Sequence, residues 1–115
     1  MLPFKNRLNK TRDFNRVSCY GHKFFSSELI LRWVENDQEE CSRWGIVVSR
    51  KVDKKAVIRN KIKRRIRSIL RENMNSWTPQ RDVVLIARPQ IKELNFLELK
   101  RKLEQILRKN ELLSS

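Results

Sequence analysis

The chain has 115 residues, with 27 Lys or Arg against 13 Asp or Glu, so its formal net charge is +14 and its length predicts a single domain over residues 1–115. Hydrophobic residues make up 39% and charged residues 35%, with only two Gly and three Pro, which excludes collagen-like and linker compositions. The longest apolar run, residues 83–87, is far short of the roughly 20 residues that span a bilayer, and the first seven residues lack the apolar stretch of a signal peptide.

In chain order, residues 8–17 read as a short helix. Asn9 or Thr11 can cap its start, Phe14 and Val17 form an apolar pair at i, i+3, and Tyr20-Gly21-His22 ends it. Residues 24–34 read as a strand, with a break near Ser26-Ser27 left open. Leu29, Leu31 and Trp33 fall on one side of it, and Ile30, Arg32 and Val34 on the other. Residues 36–40 read as an acidic turn. Residues 43–49 read as a second strand, inside which Gly45 marks a bulge or a close approach.

The strongest helix covers residues 55–74, where Ile58, Ile62, Ile66, Ile69 and Leu70 make one apolar stripe. Thr78-Pro79 breaks it. Residues 82–88 read as a third strand whose continuous apolar run predicts a central position covered on both faces. Asn95 caps a last helix with Glu98 as its capping-box partner, and Phe96, Leu99, Leu103, Ile106 and Leu107 form its core face. Residues 111–115 are expected to fray. Alternating helices and strands of this kind give an α+β class: a two-layer α/β sandwich with three helices on a small mixed or antiparallel sheet of about four strands, in the order α-β-β-(β)-α-β-α.

Cys19 and Cys41 show no CxxC spacing, and His22 is the one histidine, so a structural zinc site is not predicted. The cysteines read as free thiols of a reducing cytoplasm. Trp33 and Trp44 read as core or half-buried residues on adjacent strands.

Charge is concentrated rather than spread. Residues 50–71 carry eleven bases and one acid, Asp53. Helical geometry puts Asn60, Arg64, Arg67 and Arg71 opposite the isoleucine stripe, with Lys63 beside them, Arg59 and Lys61 on the flanks and Arg65 nearer the apolar edge. Like charges at these spacings repel by a few tenths of a kcal/mol per pair. With no acid interleaved, the arrangement points to a polyanion, because guanidinium forks match phosphate oxygens. Asn60 either bridges a phosphate, a hydroxyl or a metal-bound water, or caps the helix locally. Six of the thirteen acids lie in residues 35–40 or on the last helix, without the clustering that nuclease chemistry requires. Composition alone does not separate DNA from RNA.

The run Gly45-Ile46-Val47-Val48-Ser49-Arg50-Lys51-Val52, followed by Ala56-Val57-Ile58-Arg59-Asn60-Lys61-Ile62-Lys63-Arg64-Arg65-Ile66-Arg67, resembles the protein subunit of bacterial ribonuclease P. The likeness extends to Leu8, Asp13-Phe14 and Gly21, and to residues 82–88. Two positions depart from the family pattern: Lys61 stands where Arg is common, keeping the charge without the fork, and Ser18 stands where a second aromatic is frequent. The resemblance implies an α/β sandwich with a left-handed βαβ crossover, an exception to the usual rule. It implies a cytoplasmic bacterial protein that assists endonucleolytic removal of the 5′ leader from precursor tRNA, with the chemistry carried by a partner RNA and its Mg2+. The chain itself is expected to bind no cofactor or metal, to carry no catalytic residue and to need no obligate protein partner or membrane. Contacts to the catalytic RNA are implied for Arg50, Lys51, Arg59, Asn60, Lys61, Lys63, Arg64, Arg67 and Arg71. A cleft for the single-stranded leader is implied at Phe14, Arg16 and Arg32, with Phe14 either stacking on a base or serving as ordinary core.

Two other readings fit the composition. A structural RNA-binding protein of ribosomal type is set apart by the ordered motif of residues 45–67. A major-groove DNA regulator is disfavoured because the basic helix follows a strand instead of a helix and short turn.

Overall fold

A computed structural model describes residues 2–8, 10–36 and 41–114. Asn9 as a helix cap, residues 37–40 of the acidic turn, and Ser115 lie outside the described residues. A 3-10 turn at Phe4–Asn6 precedes α1 (Thr11–Tyr20), β1 (His22–Phe25), β2 (Leu29–Glu35), β3 (Arg43–Val47), α2 (Ala56–Glu72), β4 (Arg81–Ala87) and α3 (Phe96–Lys109). The predicted order holds. The open break is a hairpin turn: Ser26 N–H donates to the Leu29 carbonyl at 2.9 Å, and Leu29 N–H donates to Ser26 Oγ at 3.0 Å.

The helix starts follow local chemistry unevenly. Asn95 and Glu98 form the expected capping box on α3, with Glu98 N–H donating to Asn95 Oδ1 at 2.8 Å and Asn95 N–H to Glu98 Oε1 at 3.0 Å. Thr11 is not a cap. It is the first helical residue of α1, and Lys10 holds the cap position without a side-chain bond. Asn60 is not a cap either, because α2 begins four residues earlier, at Ala56.

The sheet runs in the order β1-β2-β4-β3. β1/β2 and β2/β4 are antiparallel, while β3/β4 is parallel, so α2 is the crossover of a βαβ unit. The apolar run of β4 lies inside the sheet, as its continuity predicts. Val83, Leu85 and Ala87 join one core cluster, and Val84 joins a second one. The larger cluster packs α2 (Ile62, Ile66, Ile69, Leu70) and α3 (Leu99, Leu103, Ile106, Leu107) on one sheet face. Burying each such side chain contributes on the order of 2 kcal/mol. The smaller cluster packs Val17 and Phe14 of α1, with Leu8, on the other face. α1 therefore adds a partial third layer that a two-layer description omits.

The chain end corrects the sequence reading. Residues 111–114 do not fray, because Leu112 and Leu113 are 1% and 3% exposed. Thr78 N–H donates to the Leu112 carbonyl at 3.0 Å, Ser114 N–H donates to the Ser76 carbonyl at 2.7 Å, and Leu113 bridges to Trp77. Two adjacent leucines after a helix are core-forming residues, and here they close the end of the large cluster.

Candidate nucleic-acid interface

α2 presents the basic surface that its sequence spacing requires. Asn60, Lys61, Arg64 and Arg71 are exposed, and Arg59, Lys63 and Arg67 are half-buried along the flanks. The first turn of α2 holds no acid, so the partial positive charge of the helix start adds to the side chains. Arg50, Lys51 and Lys54 line one open cleft in the loop leading to it. Arg59 has a second role. Its Nη1 donates to the carbonyls of Asp53 at 3.0 Å and Lys54 at 2.8 Å, which locks the loop onto the helix.

Asp53, ahead of α2, and Glu72, its last residue, are both paired. Asp53 accepts from the Lys55 backbone N–H at 2.8 Å and pairs with Lys92 at 3.3 Å. The Lys55 N–H, helped by Lys92, holds its carboxyl below the usual range. Glu72 pairs with Lys100 at 2.8 Å, and this bond raises the Lys100 pKa. Both acids are thereby paired with lysines that lie outside α2, Lys92 and Lys100.

A second surface lies on the sheet face beside α1. Register places Gly45, Val84, Arg32 and Lys23 in one row across the four strands. The next row is Val47, Ile86, Ile30 and Phe25. Phe14 sits directly over Gly45: a Cβ added there would stand 2.6 Å from Phe14 Cζ. That contact explains the glycine, which receives a packed ring rather than forming a bulge. Phe14 is half-buried against the smaller core cluster, so it is part core and part surface. Arg32 is half-buried, and its Nε is shielded from solvent without a hydrogen-bond partner. Gly45→Val is expected to push the Phe14 ring outward and to disturb this face more than the α2 surface. Resonances of Arg32 and Ile86 should shift in a heteronuclear NMR spectrum while those of Arg64 and Arg67 stay in place.

Arg16 stands over the preceding row of the same face, formed by Arg43, Asp82 and Val34. Its guanidinium pairs with Asp82, which is fully buried. Asp82 also accepts a bidentate pair from Arg43, at 2.9 and 2.7 Å, and a bond from Asn36 Nδ2 at 2.9 Å. Arg43 reaches on to Asp13 of α1 at 3.3 Å. This network ties α1 to β3 and β4 and thereby fixes one wall of the surface.

Sequence reasoning placed Ile30 on the Arg32 side of its strand but missed Lys23, Phe25 and Ile86 as neighbours on that face. Phe25 is 59% exposed, a large apolar side chain left open on this face. The alternation of side chains was readable, but which strands lie beside β2 was not.

Among the described residues, no group of three or more His, Cys, Asp or Glu stands close enough to hold a metal ion. No described helix is long and apolar enough to cross a membrane. Cys19 and Cys41 are both free thiols.

The chain matches the family model described as Ribonuclease P over residues 2–111. It is 39% identical over 105 residues to a ribonuclease P protein component from a Synechocystis strain, covering 91% of this chain and 85% of that one. A counterpart from a Geobacillus strain is 34% identical, with 91% and 90% covered. Among solved structures, the RNase P protein of Staphylococcus aureus superposes with a TM-score of 0.88 at 30% identity, covering 95% of this chain and 98% of the other. The Thermotoga maritima RNase P protein gives 0.79 at 32% identity, with 90% and 96% covered.

Proposed function

The chain belongs to the ribonuclease P protein family, as the protein subunit of an endoribonuclease that matures tRNA 5′ ends, and from that premise we propose that it works through two surfaces. The α2 face and its preceding loop bind the catalytic RNA. The sheet face beside α1 binds the single-stranded 5′ leader of precursor tRNA. The observation that carries this reading is the separation of the two surfaces, one cationic and helical, the other mixed aromatic, aliphatic and basic.

Each surface suits its assignment. Folded RNA offers closely spaced phosphates, and Arg50, Lys51, Arg59, Lys61, Lys63, Arg64, Arg67 and Arg71 supply cations, with Asn60 able to donate and accept among them. A leader differs between tRNAs, so its binding must tolerate sequence. Stacking on Phe14 supplies that, at about 1–3 kcal/mol per base. Arg32 and Lys23 stand in one row for its phosphates, and Arg16 serves chiefly by holding α1 in place. In this reading the crossover through α2 has the left-handed sense of the family, the protein is cytoplasmic, and magnesium belongs to the RNA. In this reading no step is assigned to a metal on this chain.

The protein then acts by neutralisation. Phosphate repulsion opposes the meeting of two RNAs, and side-chain cations relieve it. The leader assignment is tested by measuring the affinity of the reconstituted holoenzyme for precursor tRNA with leaders of zero to eight nucleotides. Affinity should rise with the first few leader nucleotides when the protein is present and stay flat with RNA alone. Equal affinities at every leader length would contradict the assignment.

A further inference from the structure

Between α2 and the start of α3 runs a groove that shares Lys61 and Arg64 with the cationic surface and whose apolar floor neither surface above uses. Its first part is a cleft of about 270 Å³ floored by Ile58, Ile62, Leu94 and Leu99 and rimmed by Lys61 and Arg65. A second cleft, of about 320 Å³, continues it. That cleft shares Lys61 and Arg65 and adds Arg64, Ser68 and Phe96. Lys61, Arg65 and Ser68 follow one another at i, i+4 and i+7, so one stripe of α2 forms the wall.

The charges in the groove are unbalanced. Lys92 also lines the first cleft, but its charge is matched by Asp53 at 3.3 Å. Among the described residues, Lys61 and Arg65 have no hydrogen-bond or ion-pair partner. Two uncompensated cations therefore stand over an apolar floor beside an aromatic ring. An inorganic anion would use the cations and leave the floor empty. A purely apolar ligand would leave the cations unmatched. A planar ring carrying a phosphate uses both. The first cleft is at the small end of ligand pockets, which start near 300 Å³, so it takes one such unit.

We infer that this groove holds a single unstacked nucleotide of the bound RNA, with its phosphate between Lys61 and Arg65 and its base against the floor and Phe96. The inference rests on the RNA-binding reading of α2 and extends it. Arg64 lines the groove and also stands on the exposed face, so an RNA strand passes from one to the other without a gap. Arg65, which the sequence places toward the apolar edge of the helix, thereby gains a role that the exposed-face contacts do not give it.

The test titrates the full chain, with methyl-labelled Ile and Leu, with single-stranded hexauridylate. The methyls of Ile58, Ile62, Leu94 and Leu99 should shift and saturate, and the shifts should vanish in Arg65→Gln. Unmoved groove methyls at saturation would overturn the inference. So would equal or tighter saturation by adenosine monophosphate, which would assign the groove to free nucleotides, or by hexaglutamate, which would assign it to acidic peptides. Against ribonuclease P RNA, Arg65→Gln and Phe96→Leu should each weaken affinity by roughly tenfold, as expected for a lost phosphate contact and a lost stack. Normal RNA binding by both variants, while Arg64→Ala/Arg67→Ala binds weakly, would sink the groove and leave the proposed function standing. Normal binding by all of them would remove the proposed function as well.

Discussion

Asp82→Ala is expected to cost about 3–5 kcal/mol of folding stability, the loss that follows when one partner is stripped from a buried ion pair. The carboxylate is fully buried and accepts from Arg43, Arg16 and Asn36. Removing it leaves two guanidinium groups facing each other at the α1–sheet interface, with the Asp13 carboxylate 3.3 Å from Arg43. Domains of this kind hold roughly 5–15 kcal/mol in total, so the loss takes a large share. Asp82→Asn keeps the shape but not the charge and should fall between the two. Urea unfolding followed by tryptophan fluorescence measures both. A loss below about 1 kcal/mol for the alanine variant would mean that the network is not what fixes α1 on the sheet.

The double variant Arg64→Ala/Arg67→Ala is expected to lower affinity for the catalytic RNA about a hundredfold. Hydrogen bonds to charged groups are worth about 1.5–3 kcal/mol each, and two of them at the lower figure make roughly 3 kcal/mol. Arg64 is exposed and Arg67 half-buried on the face opposite the core, so folding should be spared. The dependence on salt supplies an independent reading. Each lost phosphate contact should flatten the log–log slope by about 0.7–0.9, giving a total near 1.5 for the pair. Filter binding across a salt series reads both quantities. A hundredfold loss with an unchanged slope would show that the arginines act by some route other than phosphate contact.

Much of this fold was legible because its elements carry strong local signals. The isoleucine stripe of α2 and the Asn95–Glu98 box fix two helices without reference to anything distant. The unbroken apolar run of β4 placed that strand inside the sheet before any pairing was known. What the sequence withheld depends on contacts far apart in the chain. Asp82 reads as an ordinary strand-end acid, yet it gathers partners from residues 16, 36 and 43. Arg16 reads as a candidate for the leader, and its pairing with that acid is not visible in the sequence. Leu112 and Leu113 follow the last helix and have no periodicity of their own, so only the bonds to Ser76 and Thr78 reveal that they are core.

The candidate site divides in the same way. The α2 face was readable because helical spacing alone sorts its residues into buried and exposed. The sheet face proposed for the leader was readable at Phe14 and Arg32 as neighbours and obscure at Lys23 and Phe25, because strand order in a mixed sheet is not written in any one segment. Gly45 gave a hint of a close approach, and its partner, the Phe14 ring, lies thirty-one positions earlier.

The central claim is that this chain acts with an RNA by neutralising phosphate repulsion and not by chemistry of its own. Labelled precursor tRNA is incubated with a bacterial ribonuclease P RNA over a magnesium series, with and without the protein, and with the protein alone. Cleavage at the mature 5′ end should need RNA in every case and should require clearly less magnesium when the protein is present. Cleavage by the protein alone, or an unchanged magnesium requirement with the protein bound, would contradict the account.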